Sequence, residues 1–157
     1  MIPKFINIKE KQLVLFDMDG VLAEYIAGEE INIVNEVPNT YLHKRPVQTI
    51  VKVAQELQNM PNITVGILSS CDYPSQVIEK KKWLKKYLPF ILKDKIFIVV
   101  WKNEKYTKKT RCLAKLEVIQ KIKGYDKIFL IEDTHKNISA TNEIIPNCAH
   151  HLTELLD

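Results

Sequence analysis

Residues 13–25, LVLFDMDGVLAEY, contain the pattern that decides the fold. The run LVLFD is apolar until it ends in the carboxylate of Asp17, which is typical of a buried parallel strand. Asp19 and Gly20 follow. In a strand the two carboxylates would share a face and repel each other, whereas in a turn they can converge on one cation. Mg²⁺ prefers oxygen ligands, so the pattern predicts a magnesium site here. An Asx-turn that merely ends the strand is the simpler alternative.

The rest of the chain alternates between strand-like and helix-like apolar patterns. The predicted strands cover 13–17, 63–68, 96–101 and 128–132, and the predicted helices cover 46–58, 74–87, 110–123 and 137–145. In the helix at 74–87 we expect the lysines to face outward and Ile78 and Trp83 to face inward. Strands joined by helices predict a Rossmann-like α/β fold, in which one parallel sheet has helices on both faces.

Polar side chains follow the predicted strands, at the edge where parallel α/β sheets bind their ligands. These residues are Asp17, Asp19, Ser69, Ser70, Lys102, Glu132 and Asp133. The sequence therefore predicts that a functional site lies at the carboxyl ends of the strands.

Length and composition limit the class of protein. A chain of 157 residues with 46% hydrophobic residues predicts one domain, 1–157, with a real core. We find neither a signal-peptide pattern nor an apolar run of about 18 residues, so we expect a cytoplasmic protein with no membrane segment. Three cysteines without a CxxC pair predict reduced thiols.

The net charge of +4 is unevenly distributed, with positive charge concentrated at 79–95 and 102–123. These stretches form either a solvated basic face or an attractive surface for an anionic substrate.

The pattern at 13–25 resembles the first motif of the haloacid dehalogenase (HAD) superfamily, an apolar strand followed by DxDG. The resemblance implies a magnesium-dependent phosphatase in which Asp17 attacks phosphorus and forms an aspartyl-phosphate. Asp19 would protonate the leaving group and later activate water. The family ATPases usually have threonine at that position, so a phosphatase or phosphomutase-like enzyme is favoured.

Three further motifs of that family can be matched by position. TVGILSS provides Ser69 to hold a phosphoryl oxygen, with Ser70 next to it. IFLIED provides Glu132 and Asp133 as further metal-site residues beside Asp17 and Asp19. The resemblance implies that Asp133 binds Mg²⁺ directly, whereas Glu132 would act through water or by orienting a lysine. Lys115 is the favoured phosphate-neutralising lysine and Lys108 the next candidate, while Lys102, Lys105 and Lys109 also remain open.

The family's specificity usually comes from a cap, and here only a short flap-like insert at about 24–45 is available. The site is therefore expected to be open, which suits a large substrate or a lid from a partner subunit in a homo-oligomer. Gly20, Ser70 and Arg45 are the predicted substrate contacts. The substrate would be a phosphorylated small molecule or a nucleic-acid end, because the chain also resembles the deoxyribonucleotidase and polynucleotide phosphatase branches. A sugar-phosphate phosphatase and a non-catalytic HAD-like binding module remain as alternatives.

Overall fold

Five parallel strands form one sheet in the computed structural model, which describes residues 2–34, 37–103 and 105–157. The strands are β1 (Gln12–Phe16), β2 (Ile63–Cys71), β3 (Ile96–Val100), β4 (Lys127–Glu132) and β5 (Ala149–His151). The helices are α1 (Glu29–Val34), α2 (Gln48–Gln58), α3 (Pro74–Tyr87), α4 (Arg111–Lys121) and α5 (His135–Ile144). None of the helices in the described part of the chain is long and apolar enough to cross a membrane.

The two faces of the sheet bury separate apolar clusters, as the period of two in a strand requires. In β1, Val14 and Phe16 pack on one face, while Leu13 and Leu15 pack on the other. The first cluster includes residues of α2 and α3, and the second includes residues of α4 and α5. The predicted Rossmann-like α/β fold, with helices on both faces of a parallel sheet, is thereby confirmed.

The structure differs from the predicted elements at three places. β5 was not predicted, because AHH has no apolar run; Asn142 holds it by bonding both the N–H and the C=O of Ala149. β2 continues to Cys71, so Ser69 lies within the strand and is fully buried. The insert contains α1, and its positions 35 and 36 lie outside the described residues.

The order of the strands, β3-β2-β1-β4-β5, makes β1 the topological switch point. The chain moves from β1 through β2 to β3 on one side, then crosses to β4 on the other side of β1. The connections therefore diverge above the carboxyl end of β1. A crevice at such a point is where open α/β sheets bind ligands, and Asp17 follows β1 directly.

Candidate active site

Asp17 lies at the floor of the cleft at this edge, with a side chain that is 12% exposed. Its N–H donates to the carbonyl of Ile131 at 3.0 Å, which continues the pairing of β1 with β4. Its Oδ1 accepts a hydrogen bond from the N–H of Met18 at 2.8 Å. The carboxylate is therefore held in a fixed orientation by the backbone that follows the strand.

Lys115 of α4 contacts the same carboxylate. Its Nζ lies 3.1 Å from Asp17 Oδ1 and 2.6 Å from Glu132 Oε1. Burial alone would lower the pKa of this ammonium group, but the charges of Asp17 and Glu132 raise it above its usual value. Lys115 thus stays charged beside Asp17. Lys108 lines the outer part of the cleft, so of the two predicted lysines Lys115 is the one in contact with Asp17.

Three carboxylates form a cluster that could hold a metal ion. One oxygen each of Asp17, Glu132 and Asp133 lies within 4.8 Å of the others. Burial raises the pKa of Glu132 to about 7, against the attraction of Lys115. Glu132 Oε2 is buried and has no hydrogen-bond partner among the described residues. An unpaired buried oxygen in an acidic group of three fits a hard divalent cation, which takes oxygen ligands.

Gly20 is required by this cluster for two reasons. Its φ is +75°, a left-handed conformation that other residues adopt only with strain. A Cβ at this position would also clash with Asp133 Oδ2 and lie 2.9 Å from Asp133 Cγ. Gly20 therefore lets the backbone after β1 approach Asp133 closely.

Asp19 is held by two buried lysines. Lys44 Nζ lies 2.6 Å from its Oδ1 and Lys80 Nζ lies 2.7 Å from its Oδ2. Burial by itself would raise the pKa of Asp19, but the ammonium groups of Lys80 and Lys44 outweigh it and hold the pKa well below its usual range. Asp19 was predicted as a metal ligand, and the structure places its carboxylate on the lysines, apart from the group formed by Asp17, Glu132 and Asp133.

Lys80 connects Asp19 to the end of β2. Its ammonium group also donates to Ser69 Oγ at 2.8 Å and to the carbonyl of Ser70 at 3.0 Å. Ser69 is fully buried, whereas Ser70 lines the cleft. Lys80 therefore joins the predicted phosphate-binding serines to the predicted acid–base residue.

Lys44 connects Asp19 to the insert. Its Nζ donates to Glu29 Oε1 of α1 at 2.9 Å, and its carbonyl accepts from Trp83 Nε1 at 2.9 Å. The ring of Tyr41 lies 4.6 Å from Lys44 Nζ and 5.1 Å from Lys80 Nζ. Electrostatic attraction by this aromatic face further stabilises the two ammonium groups.

Sequence reasoning missed Lys44, Lys80 and Glu29. A signal for Lys80 was present, because Lys80, Trp83 and Leu84 are three and four residues apart and therefore share one helix face. The prediction that the lysines of this helix face outward was wrong for Lys80, which is 1% exposed. The inward placement of Ile78 was also wrong, since its side chain is 60% exposed.

Lys102, Asn137 and Arg45 differ in whether they line the cleft. Lys102 lines the cleft and pairs with Asp72 at 3.1 Å. Asn137, in the first turn of α5, also lines the cleft. Arg45 is exposed and is not among the described residues that line the cleft; its N–H donates to Glu24 Oε1.

Replacing Asp19 with Asn should destabilise the protein in a pH-dependent way. At about pH 7 we expect the free energy of unfolding to fall by about 2 kcal/mol. This is less than for a fully buried pair, because the Asp19 side chain is 32% exposed and Lys44 keeps Glu29. Since the folded pKa of Asp19 is depressed, its stabilisation is present above the unfolded value of about 3.9 and is lost as pH falls towards the folded value. The difference between wild type and Asp19→Asn should thus shrink below about pH 4.

Urea unfolding of both proteins from about pH 7 to about pH 3 measures this difference. The matched control is Asp94→Asn, whose exposed pair with Lys95 should contribute less than about 1 kcal/mol. Equal losses for the two variants at neutral pH would contradict a structural role for the Asp19 contacts.

Together, the fold and this centre define an α/β protein with carboxylates and buried lysines at its switch point. No family model and no curated protein sequence matches the chain. Among solved structures, it is similar to a chain in the Pnkp1/Rnl/Hen1 RNA repair complex, with a TM-score of 0.68 and 16% identity. The similarity covers 92% of this chain and 43% of that chain, so this chain spans less than half of its length. At this identity the likeness shows a shared fold.

Proposed function

We propose that the chain is a metal-dependent phosphomonoester hydrolase of the HAD type that acts on a nucleotide or a nucleic-acid end. The observation that carries the proposal is the surroundings of Asp17. A carboxylate at the switch point contacts a buried lysine and shares a cluster with Glu132 and Asp133. This combination suits a nucleophile that must approach a phosphate dianion, because positive charge has to offset the repulsion between two anions.

In the proposed reaction Asp17 attacks phosphorus and displaces the leaving alcohol. Oδ1 is engaged by Met18 and Lys115, so we assign the attack to Oδ2. A bond forms between Oδ2 and phosphorus while the ester P–O bond breaks, and the leaving oxygen takes a proton. Water then attacks the aspartyl-phosphate, which releases phosphate and restores the carboxylate.

The acidic cluster fits a divalent cation, which Asp17, Glu132 and Asp133 would hold. When bound, such a cation would offset negative charge on the transferred phosphoryl group. Lys115 contributes a positive charge next to Asp17, and the absence of a side chain at Gly20 leaves room for Asp133.

Asp19 is proposed as the group that gives the proton to the leaving oxygen and later takes one from water. The two lysines favour its ionised form, which has no proton to donate. We place the phosphate dianion of the substrate beside Ser69 and Ser70, which Lys80 also contacts. There the phosphate can pair with Lys80 in competition with Asp19. As the contact between Lys80 and Asp19 weakens, the pKa of Asp19 rises and the carboxyl can take up its proton.

Two observations support a nucleotide or a nucleic-acid end as the substrate. The cleft is open, with a volume of about 510 Å³, and five lysines and Arg111 are among its lining residues. The similar chain comes from an RNA repair complex. The neutral ring of a small sugar phosphate would offer no charged group to the exposed cations Lys108 and Arg111 of the cleft.

A substrate panel tests the proposal. We expect a 3′-phosphorylated oligonucleotide or a deoxynucleoside monophosphate to be hydrolysed with higher kcat/KM than a hexose phosphate, each with Mg²⁺ at low and moderate salt. Cleavage of the charged substrates should weaken as salt rises, because contacts with exposed cations are screened. A preference for the hexose phosphate would favour a sugar-phosphate phosphatase. Turnover of none of the three would favour a non-catalytic binding module.

A further inference from the structure

The inner part of the cleft has no surplus of positive charge, because its ammonium groups are already paired with carboxylates. Its five carboxylates belong to Asp17, Asp19, Glu29, Glu132 and Asp133. Its three ammonium groups, those of Lys44, Lys80 and Lys115, all contact these carboxylates. When all five carboxylates are ionised, the excess of two negative charges equals the charge of one divalent cation. The inner groups can therefore serve one phosphoryl group, but they offer no further cation to a second phosphate.

The cations at the rim of the cleft differ from the inner ones in their exposure and in their ion pairing. Lys108 and Arg111 line the same cleft and are exposed. Neither forms an ion pair with any residue that the structure describes. Lys102 also lies at this rim, but Asp72 neutralises it at 3.1 Å. Among the described residues of the rim, Lys108 and Arg111 are thus the cations without a carboxylate partner, and we take them as the groups that can bind a ligand.

The position of Arg111 follows from the geometry of α4. Arg111 and Lys115 are four residues apart in this helix, so they share one face. Lys115 contacts Asp17, and Arg111 begins about 6 Å further along the helix axis, towards its N-terminus and the rim. Lys108 precedes Arg111 by three residues in the turn before α4. The three cations therefore lead from the nucleophile to the outside of the cleft.

We infer that Lys108 and Arg111 bind the phosphodiester next to the reacting phosphate, so that the substrate is the end of a single-stranded nucleic acid. This inference rests on the proposed phosphatase function. The spacing of about one helical turn is on the scale of the separation between successive phosphates in a strand. The guanidinium group of Arg111 can bind two phosphate oxygens at once, and Lys108 adds a point charge. Asp17 is only 12% exposed at the floor, which a flexible strand end can reach more readily than a duplex end.

The test compares a double variant, Lys108→Gln with Arg111→Gln, with the wild type. Substrates are a single-stranded oligonucleotide ending in a phosphate and 4-nitrophenyl phosphate, which lacks a second phosphate. We expect the ratio of kcat/KM for the oligonucleotide to that for the small ester to fall about tenfold. Loss of two phosphate contacts to a single strand should also make the negative slope of log affinity against log salt shallower by about 1.4. Between about 50 and 200 mM salt the wild type should therefore lose about sevenfold more affinity than the variant.

The matched control is Lys82→Gln with Lys85→Gln. It removes the same charge, at the same spacing, from the exposed face of α3. It should leave the ratio and the salt slope as in wild type. An equal effect of both double variants would show attraction by net charge alone and overturn the inference. An unchanged ratio in the Lys108/Arg111 variant would also overturn it.

Binding of the fluorescently labelled oligonucleotide, followed by anisotropy in the presence of Mg²⁺, separates this inference from the proposed function. If wild type hydrolyses neither substrate, the phosphatase proposal fails. Weaker binding by the Lys108/Arg111 variant alone would still support the strand site. If all three proteins bind the oligonucleotide equally, the strand site is refuted even where hydrolysis is observed.

Discussion

Asp17→Asn is expected to leave a folded protein whose phosphatase activity falls about a thousandfold or more, a loss of about 4 kcal/mol of transition-state stabilisation. An amide is a poor nucleophile and cannot form the acyl-phosphate that the proposed reaction requires. The fold should survive, because an amide Oδ1 can still accept hydrogen bonds from the N–H of Met18 and from Lys115. Loss of activity without loss of structure is therefore the expected result.

Steady-state rates on the best substrate of the panel, together with thermal unfolding, measure both parts of this result. Asp94→Asn serves as the control, since it makes the same chemical change at an exposed carboxylate outside the cleft. If Asp17→Asn kept more than about a tenth of wild-type turnover, the deficit would be below about 1.4 kcal/mol and the assignment of Asp17 as nucleophile would be wrong.

The fold could be predicted because its signals are local. Residues 13–16, before Asp17, are fully buried in β1, and a strand buried on both faces of a sheet is typically a nearly continuous apolar run. Helices between such strands then imply parallel pairing. β5 escaped prediction because three residues provide no apolar period, and the strand depends on Asn142 from another element.

The acidic part of the site could also be placed from the sequence, since strand-end residues meet at one edge of a parallel sheet. The choice between Lys115 and Lys108 could not be made in that way. It depends on where α4 begins, and helix boundaries are the least certain part of a sequence pattern. With α4 starting at Arg111, Lys115 falls on the buried side with Ile119, whereas Lys108 precedes the helix.

Lys44 shows the limit of such reasoning most clearly. It lies in the insert, where the sequence has no regular period, and its burial depends on Asp19, Glu29 and Trp83 at once. A buried lysine is recognisable only when its counter-charges are known, because an unpaired one would be too costly to bury. Those partners come from three separate parts of the chain, so tertiary structure alone reveals the network.

Removal of divalent cations should abolish activity and also lower the stability of the protein. The carboxylates of Asp17, Glu132 and Asp133 repel each other, and Lys115 alone contacts two of them. At a Mg²⁺ concentration about 100 times its Kd, binding should stabilise the fold by about 2.7 kcal/mol, which raises Tm by roughly 5–10 °C. Ca²⁺ should bind but inhibit, because its larger and more variable coordination shell would misplace the attacking carboxylate.

Thermal unfolding with chelator, Mg²⁺ and Ca²⁺ measures the binding independently of turnover. Asp133→Ala should remove most of the Mg²⁺-dependent rise in Tm and steeply increase the Mg²⁺ concentration that activity requires. Glu143→Ala, at an exposed acid of α5, should leave both as in wild type. An unchanged Mg²⁺ requirement in Asp133→Ala would exclude Asp133 as a ligand and point to Glu132, whose buried Oε2 is the remaining candidate beside Asp17. Full activity in excess chelator would instead refute the metal site, since the acidic cluster would then have to be neutralised by protonation and by Lys115.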